Sequence, residues 1–203
     1  MNKRDLLMGA ATAAWLPAQP ANAERGTPSR AKGGMSRGPA VLTVSGAIGT
    51  GNRGPLDTAL DQLMVKQKLS FSRAHTFDYA ALQTLPAVTI KPTLEYDQKV
   101  HELTGPLLID VLNVAGARLT PSTSVLIRAI DGYAVQLSLA QLQERRFILA
   151  LRLDGSPMPL GGLGPVWAVF DADRFPDLAS KPLNERFALC PWATYSIEVK
   201  TGA

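Results

Sequence analysis

The feature that constrains this chain most is the stretch 145–173, in which two short apolar runs, 147–153 and 166–170, flank a segment that no helix can cross. Both runs are rich in branched and aromatic side chains and end at turn residues, the pattern of buried strands rather than helices. Between them Asp154-Gly155 marks a tight turn, and Pro157 and Pro159 fix φ and remove donors. Gly161, Gly162 and Gly164 permit positive φ or a close approach to the backbone. Such a loop between core strands either closes a turn or presents backbone N–H groups to a ligand.

The rest of the chain supplies strands with helices interspersed. Residues 41–48, 88–91, 124–130, 133–137 and 192–200 alternate or run apolar as strands, 71–74 reads as a short edge strand, and Asp131-Gly132 is a turn. Leu56, Leu60 and Leu63 recur at helical spacing, which predicts a short amphipathic helix over 56–66. Thr76 is placed to cap a helix over 77–84 that stops before Pro86. A third helix is predicted over 106–115, closed by Gly116, and a helical turn over 139–143. The class is therefore α+β with mixed sheets, and no internal repeat is present.

The N-terminus reads as an address rather than fold. Lys3 and Arg4 precede an apolar stretch over 6–16, then Pro17 and the small tripeptide Ala21-Asn22-Ala23, the layout of a secretory signal cleaved after Ala23. A membrane span needs about 20 apolar residues, more than this run holds, so no span is expected once the signal is removed. Lys3-Arg4-Asp5-Leu6-Leu7 faintly resembles a twin-arginine signal, so export by either the Sec or the twin-arginine route is open. Residues 24–39, with Arg25, Arg30, Lys32 and Arg37 among Gly, Ser and Pro, form a flexible basic tether. Removing Lys3, Arg4 and Asp5 with the signal lowers the formal charge from +4 to +3. With no basic face interleaved with aromatics on the folded part, nucleic acid is not expected as a partner. Residues 40–203 suit one domain with one core.

Three stretches in order, 129–137 (Ala-Ile-Asp-Gly-Tyr-Ala-Val-Gln-Leu), 148–155 (Ile-Leu-Ala-Leu-Arg-Leu-Asp-Gly) and 164–170 (Gly-Pro-Val-Trp-Ala-Val-Phe), carry a resemblance to a known family. They resemble the molybdopterin-binding domain of the sulfite oxidase fold, in particular its small, exported, single-domain members. The match extends over 41–48, 107–117 and 197–200, with 56–66 looking like an addition to the family core. The resemblance implies a sulfite-oxidase-type α+β fold. In catalytic members one cysteine thiolate holds molybdenum, a soft ligand for a soft metal. The matching position here lies near Thr93, which is not a thiol. The one cysteine, Cys190, sits in Ala188-Leu189-Cys190-Pro191-Trp192 and reads as a buried small hydrophobe.

His75 and His101, the only histidines, make no zinc pattern without paired cysteines. Glu95, Asp97 and His101 read either as an acid/base cluster or as solvated loop charges with His101 hydrogen-bonded. No Gly-x-Ser-x-Gly elbow, Walker loop or dinucleotide fingerprint occurs. A pterin ring wants an aromatic or guanidinium plane and carboxylate or backbone partners at its amino-pyrimidinone edge. The resemblance places Tyr96, where many small relatives carry tryptophan, with Asp97, Asp131, Tyr133, Arg128, Arg152 and the loop of Gly162 and Gly164 on the cofactor side. Tyr133 serves equally as core, and Arg152 as a partner of Asp154. Leu163 stands where basic or polar residues are common in relatives, which favours a small uncharged pterin over a phosphate-bearing one. The resulting expectation is a periplasmic pterin-binding or sensory protein without a redox metal, read out by the periplasmic domain of a membrane signalling protein. The alternatives are a molybdopterin-dependent oxidoreductase or a subunit of one, and a non-catalytic interaction module.

Overall fold

The computed structural model describes residues 38–202; the expected signal, 1–23, and residues 24–37 of the expected tether lie outside the described residues. In chain order the first elements are β1 (Ala40–Gly46), α1 (Gln62–Lys66), β2 (Ala74–Asp78), α2 (Tyr79–Gln83), β3 (Ala87–Ile90), β4 (Leu103–Pro106) and α3 (Leu108–Val114). There follow β5 (Ser124–Ala129), β6 (Ala134–Ser138), α4 (Leu139–Arg145), β7 (Ile148–Ala150), β8 (Arg152–Leu153) and β9 (Ser156–Pro157). After β10 (Trp167–Val169) come a 3-10 turn (Ala172–Arg174), α5 (Pro176–Ala179), α6 (Leu183–Arg186) and β11 (Thr194–Lys200).

The largest sheet runs β2-β1-β11-β5-β6, with β1 and β11 parallel and the remaining pairs antiparallel. Its inner face is the alternate set Leu42, Val44, Val125, Ile127, Ile197 and Val199, all buried. A second sheet runs β3-β4-β8-β9, and β10 pairs with β7. The core between them centres on Trp167, Phe147 and Phe170, the last two with ring centroids 4.8 Å apart. This is the α+β class with mixed sheets that the sequence predicts. The helix α4 starts where the sequence places it, because Ser138 and Gln141 form a reciprocal capping box.

Five expectations need correction. The amphipathic helix over 56–66 shrinks to α1, because Asp57 Oδ1 takes the N–H groups of Ala59 and Leu60 into a turn. Leu60 is then 82% exposed, and Met64 is the residue of α1 that is buried. The edge strand is β2, beginning at Ala74 rather than ending there, and Thr76 lies inside it with its N–H and hydroxyl on Asn52 Oδ1. The cap of α2 is Asp78, whose carboxylate accepts the Ala81 N–H at 2.7 Å. The predicted helix over 106–115 begins only at Leu108, since Leu103–Pro106 is a strand against β3 and β8. The single run 147–153 divides at Leu151, whose N–H turns to Thr104 O, so β7 joins one sheet and β8 another.

Candidate functional site

The site grows from a ten-residue excursion after β3. Pro92 O accepts from His101 N–H, Leu94 N–H donates to Lys99 O, and Gln98, at φ 60, donates back to Leu94 O. Leu94 is buried as the anchor of this loop, and Glu95 and Tyr96 stand at its tip. Facing them is the β5–β6 turn, in which Asp131 Oδ1 accepts the Tyr133 N–H at 2.8 Å and Gly132 takes φ 95. The third wall is the segment from α6 to Trp192. It is held to β10 by Trp167 Nε1 donating to Cys190 O at 2.9 Å and Ala168 N–H to Pro191 O at 3.4 Å, and to β11 by Thr194 Oγ1 donating to Pro191 O at 2.6 Å.

These walls enclose a half-open groove of about 270 Å³ lined by Tyr96, Tyr133, Phe187 and Trp192, with Glu95, Asp131, Asn184, Ala188 and Cys190. Tyr96 is 57% exposed, a face free to stack, and partial burial together with the neighbouring Glu95 carboxylate raises its phenol to about 12, so it stays neutral. Tyr133 donates its hydroxyl to Ala188 O at 2.6 Å, which joins two walls. The lining contains two carboxylates and, among the described residues, no lysine or arginine. An anion entering would meet only like charge, whereas a neutral ring with N–H groups would meet acceptors.

The other candidates lie elsewhere. Asp97 turns to His101, which it meets at 3.0 Å from Nε2, while Asp154 meets Nδ1 at 2.7 Å. Arg152 donates to Gly155 O at 2.9 Å rather than to Asp154. Gly162 gives its N–H to Pro159 O, and Gly164 lies so close to Met158 that a Cβ there would sit 2.3 Å from its carbonyl oxygen. Arg128 faces a different pocket, lined by Ser45, Lys68 and Ser196. Asn184, Phe187, Ala188 and Trp192 carry no pattern in the sequence; the one signal available was the pair of aromatics flanking the lone cysteine.

Between its two carboxylates His101 is held above its ordinary 6.5, first by the Asp154 hydrogen bond and then by that of Asp97. Asp154 and Asp97 are held below 3.8, Asp154 by the Glu102 N–H and then His101, Asp97 by His101 first. A raised histidine stabilises fully below its unfolded value and loses that contribution as pH rises through the folded one; lowered carboxylates lose theirs as pH falls through their folded values. The clamp is therefore at full strength between 3.8 and 6.5. Melting curves should show His101→Gln furthest below the parent at about pH 5–6 and closing on it as pH rises above 6.5 through the raised folded value. A deficit constant across that range would contradict the clamp.

Thr93, near which the resemblance would place a thiolate, is committed to other partners. Its N–H donates to Asp173 Oδ2 at 2.7 Å, and Asp173 Oδ1 accepts from Arg186 at 2.8 Å. Burial raises the Asp173 carboxyl, but the Thr93 bonds and the Arg186 guanidinium outweigh it and hold the group below its ordinary range. Cys190, 3% exposed, has its thiol pushed up by burial and further by Glu95 against the opposing Phe170 N–H, so the thiolate is disfavoured. Asp171 Oδ1 is buried with no hydrogen-bond partner among the described residues, and burial raises that carboxyl, so it favours holding a proton. These residues do not fit a cysteine-ligated molybdenum.

No family model matches the chain, and no curated protein does. Solved structures do. The crystal structure of the sulfane dehydrogenase SoxCD from Paracoccus pantotrophus is similar, with a TM-score of 0.51 and 12% identity over 80% of this chain and 38% of that chain. The fold is of the sulfite-oxidase type. At this identity the likeness carries the fold alone, and the chain spans well under half the length of that dehydrogenase chain.

Proposed function

We propose that this protein is a pterin-binding protein, exported to the periplasm, that works without a redox metal. The observation that carries the reading is the convergence of Tyr96, Tyr133 and Trp192 on Glu95 and Asp131 in one groove without a cation in its lining. A neutral pterin suits it. The flat bicycle stacks on tyrosine or indole, and its ring N–H and exocyclic amine donate to a carboxylate. A phosphate-bearing molybdopterin brings negative charge to a groove that already carries two carboxylates. With no thiolate at Thr93 and a buried Cys190, the pocket acts as a receptor, and its occupancy is read by the periplasmic domain of a membrane signalling protein. Among the described residues no helix is long and apolar enough to cross a membrane.

Tyr96→Ala should weaken binding of a reduced, metal-free pterin by about 1–3 kcal/mol, the scale of a lost aromatic stacking partner, or roughly 5- to 150-fold in Kd. Fluorescence titration of parent and variant measures it; equal affinities would place the pterin elsewhere. Export is tested by N-terminal sequencing of the periplasmic protein, which should begin at Glu24, whereas a retained Met1 on cytoplasmic protein would contradict it. A second reading, a subunit of a molybdopterin-dependent oxidoreductase, draws its support from the structural likeness to the SoxCD sulfane dehydrogenase.

A further inference from the structure

The outer face of the largest sheet holds a second pocket with the opposite charge. On β1, β11 and β5 the side chains pointing away from the core include Ser45, Ser196, Glu198, Leu126 and Arg128, in adjacent registers: Ser45 opposite Glu198, and Ser196 opposite Arg128. An outward serine is normally wet, yet Ser45 and Ser196 are only 3% and 2% exposed. The segment following α1 covers them, and with Lys68, Leu69 and Ser70 it closes a pocket of about 150 Å³. The two residues are buried but their hydroxyl oxygens line the pocket, and among the described residues neither Lys68 nor Arg128 is in an ion pair. Glu198 is the one acid in the lining, and it is engaged by Lys200 at 3.7 Å.

The covering segment is fixed in place. Gln67 accepts from the Tyr195 hydroxyl at 3.0 Å and donates to Ile130 O at 2.9 Å. The chain then leaves α1 through Lys68 at φ 59, with Leu69 N–H on Met64 O, a helix C-terminus that ordinarily uses glycine. Lysine is conformationally the worse choice at that position, and it brings a cation to the pocket rim.

We propose that this pocket binds a tetrahedral oxyanion of the phosphate or sulfate class, neutralised by Arg128 and Lys68 and hydrogen-bonded by the Ser45, Ser70 and Ser196 hydroxyls. Such an anion would accept hydrogen bonds from hydroxyls that open onto the pocket between two cations, and its volume suits the space. The site lies apart from the groove and does not depend on what the groove binds.

The test is calorimetric titration of the full mature chain with sodium phosphate and with sodium sulfate at low ionic strength. Saturable one-site binding is expected. Arg128→Gln should weaken it at least tenfold, and Lys68→Gly several-fold; the glycine adopts this φ freely, so loss there cannot come from a broken turn. Glu198→Gln should tighten binding, a gain that mere damage to the sheet would not give. Phenyl phosphate assigns the source: exclusion means a free ion, and binding at least as tight means the headgroup of a phosphomonoester. Absence of saturable binding, or affinity unchanged in both Lys68→Gly and Arg128→Gln, would overturn the proposal.

Discussion

Gly105→Ala should cost about 3 kcal/mol or more, the upper end of overpacking penalties, and at that size most of a small domain's stability margin. A Cβ at Gly105 would lie 1.8 Å from Leu149 O and 2.9 Å from Ala150 Cα, so β4 and β7 are in direct backbone contact there. The obstructing atoms are main chain on both sides, and neither strand can move alone. Leu103 and Thr104 of β4 pair with Leu153 and Arg152, while Ile148, Leu149 and Ala150 pair with β10. Urea denaturation should show a midpoint far below that of the parent protein, or no folded baseline. An unchanged midpoint would mean that the strands are further apart than described.

Trp167→Ala should cost a further large amount, about 3–5 kcal/mol, the range for deleting a fully buried aromatic. Trp167 is 1% exposed, packs with Phe187 at a centroid distance of 6.0 Å, and donates its indole N–H to Cys190 O. The variant leaves a cavity beneath the groove and an unsatisfied carbonyl in the segment that forms its third wall. Pterin affinity should fall along with stability, since Phe187, Ala188 and Trp192 are positioned by that contact. Trp167→Phe separates the two effects. It keeps most of the volume and loses the hydrogen bond, so its stability loss should be about 1–3 kcal/mol. A Trp167→Ala protein with parental melting and parental affinity would remove Trp167 from any supporting role.

The same two residues show where the sequence speaks and where it is silent. Val166 to Phe170 is legible as a buried strand because apolar and aromatic residues run together between Pro165 and Asp171, and β10 lies there with Trp167 at its start. Strands β1, β5, β6 and β11 are legible for a related reason, since one face is core and the other is not. Gly105 is not legible. Gly105-Pro106 before an apolar run looks like a helix start, whereas the fold uses the glycine to bring two main chains together, a tertiary demand without a local pattern. At the site, Tyr96, Asp131 and Tyr133 could be singled out through resemblance, and the structure gathers them in one groove. Phe187 and Trp192 reach that groove only because a tryptophan 20 and 25 residues earlier holds the chain between them. The resemblance puts Arg128 on the same ligand, but strand alternation turns it to the sheet's outer face.

The central claim is that the groove holds a metal-free pterin on a fold shared with a solved sulfane dehydrogenase. Its most direct test joins elemental analysis of protein purified from the periplasm to a pterin titration of the same sample. The account predicts no stoichiometric molybdenum and saturable binding of a reduced, metal-free pterin that Cys190→Ser leaves largely intact. About one molybdenum per chain, lost in the Cys190→Ser variant while the protein remains folded, would contradict it and restore the oxidoreductase.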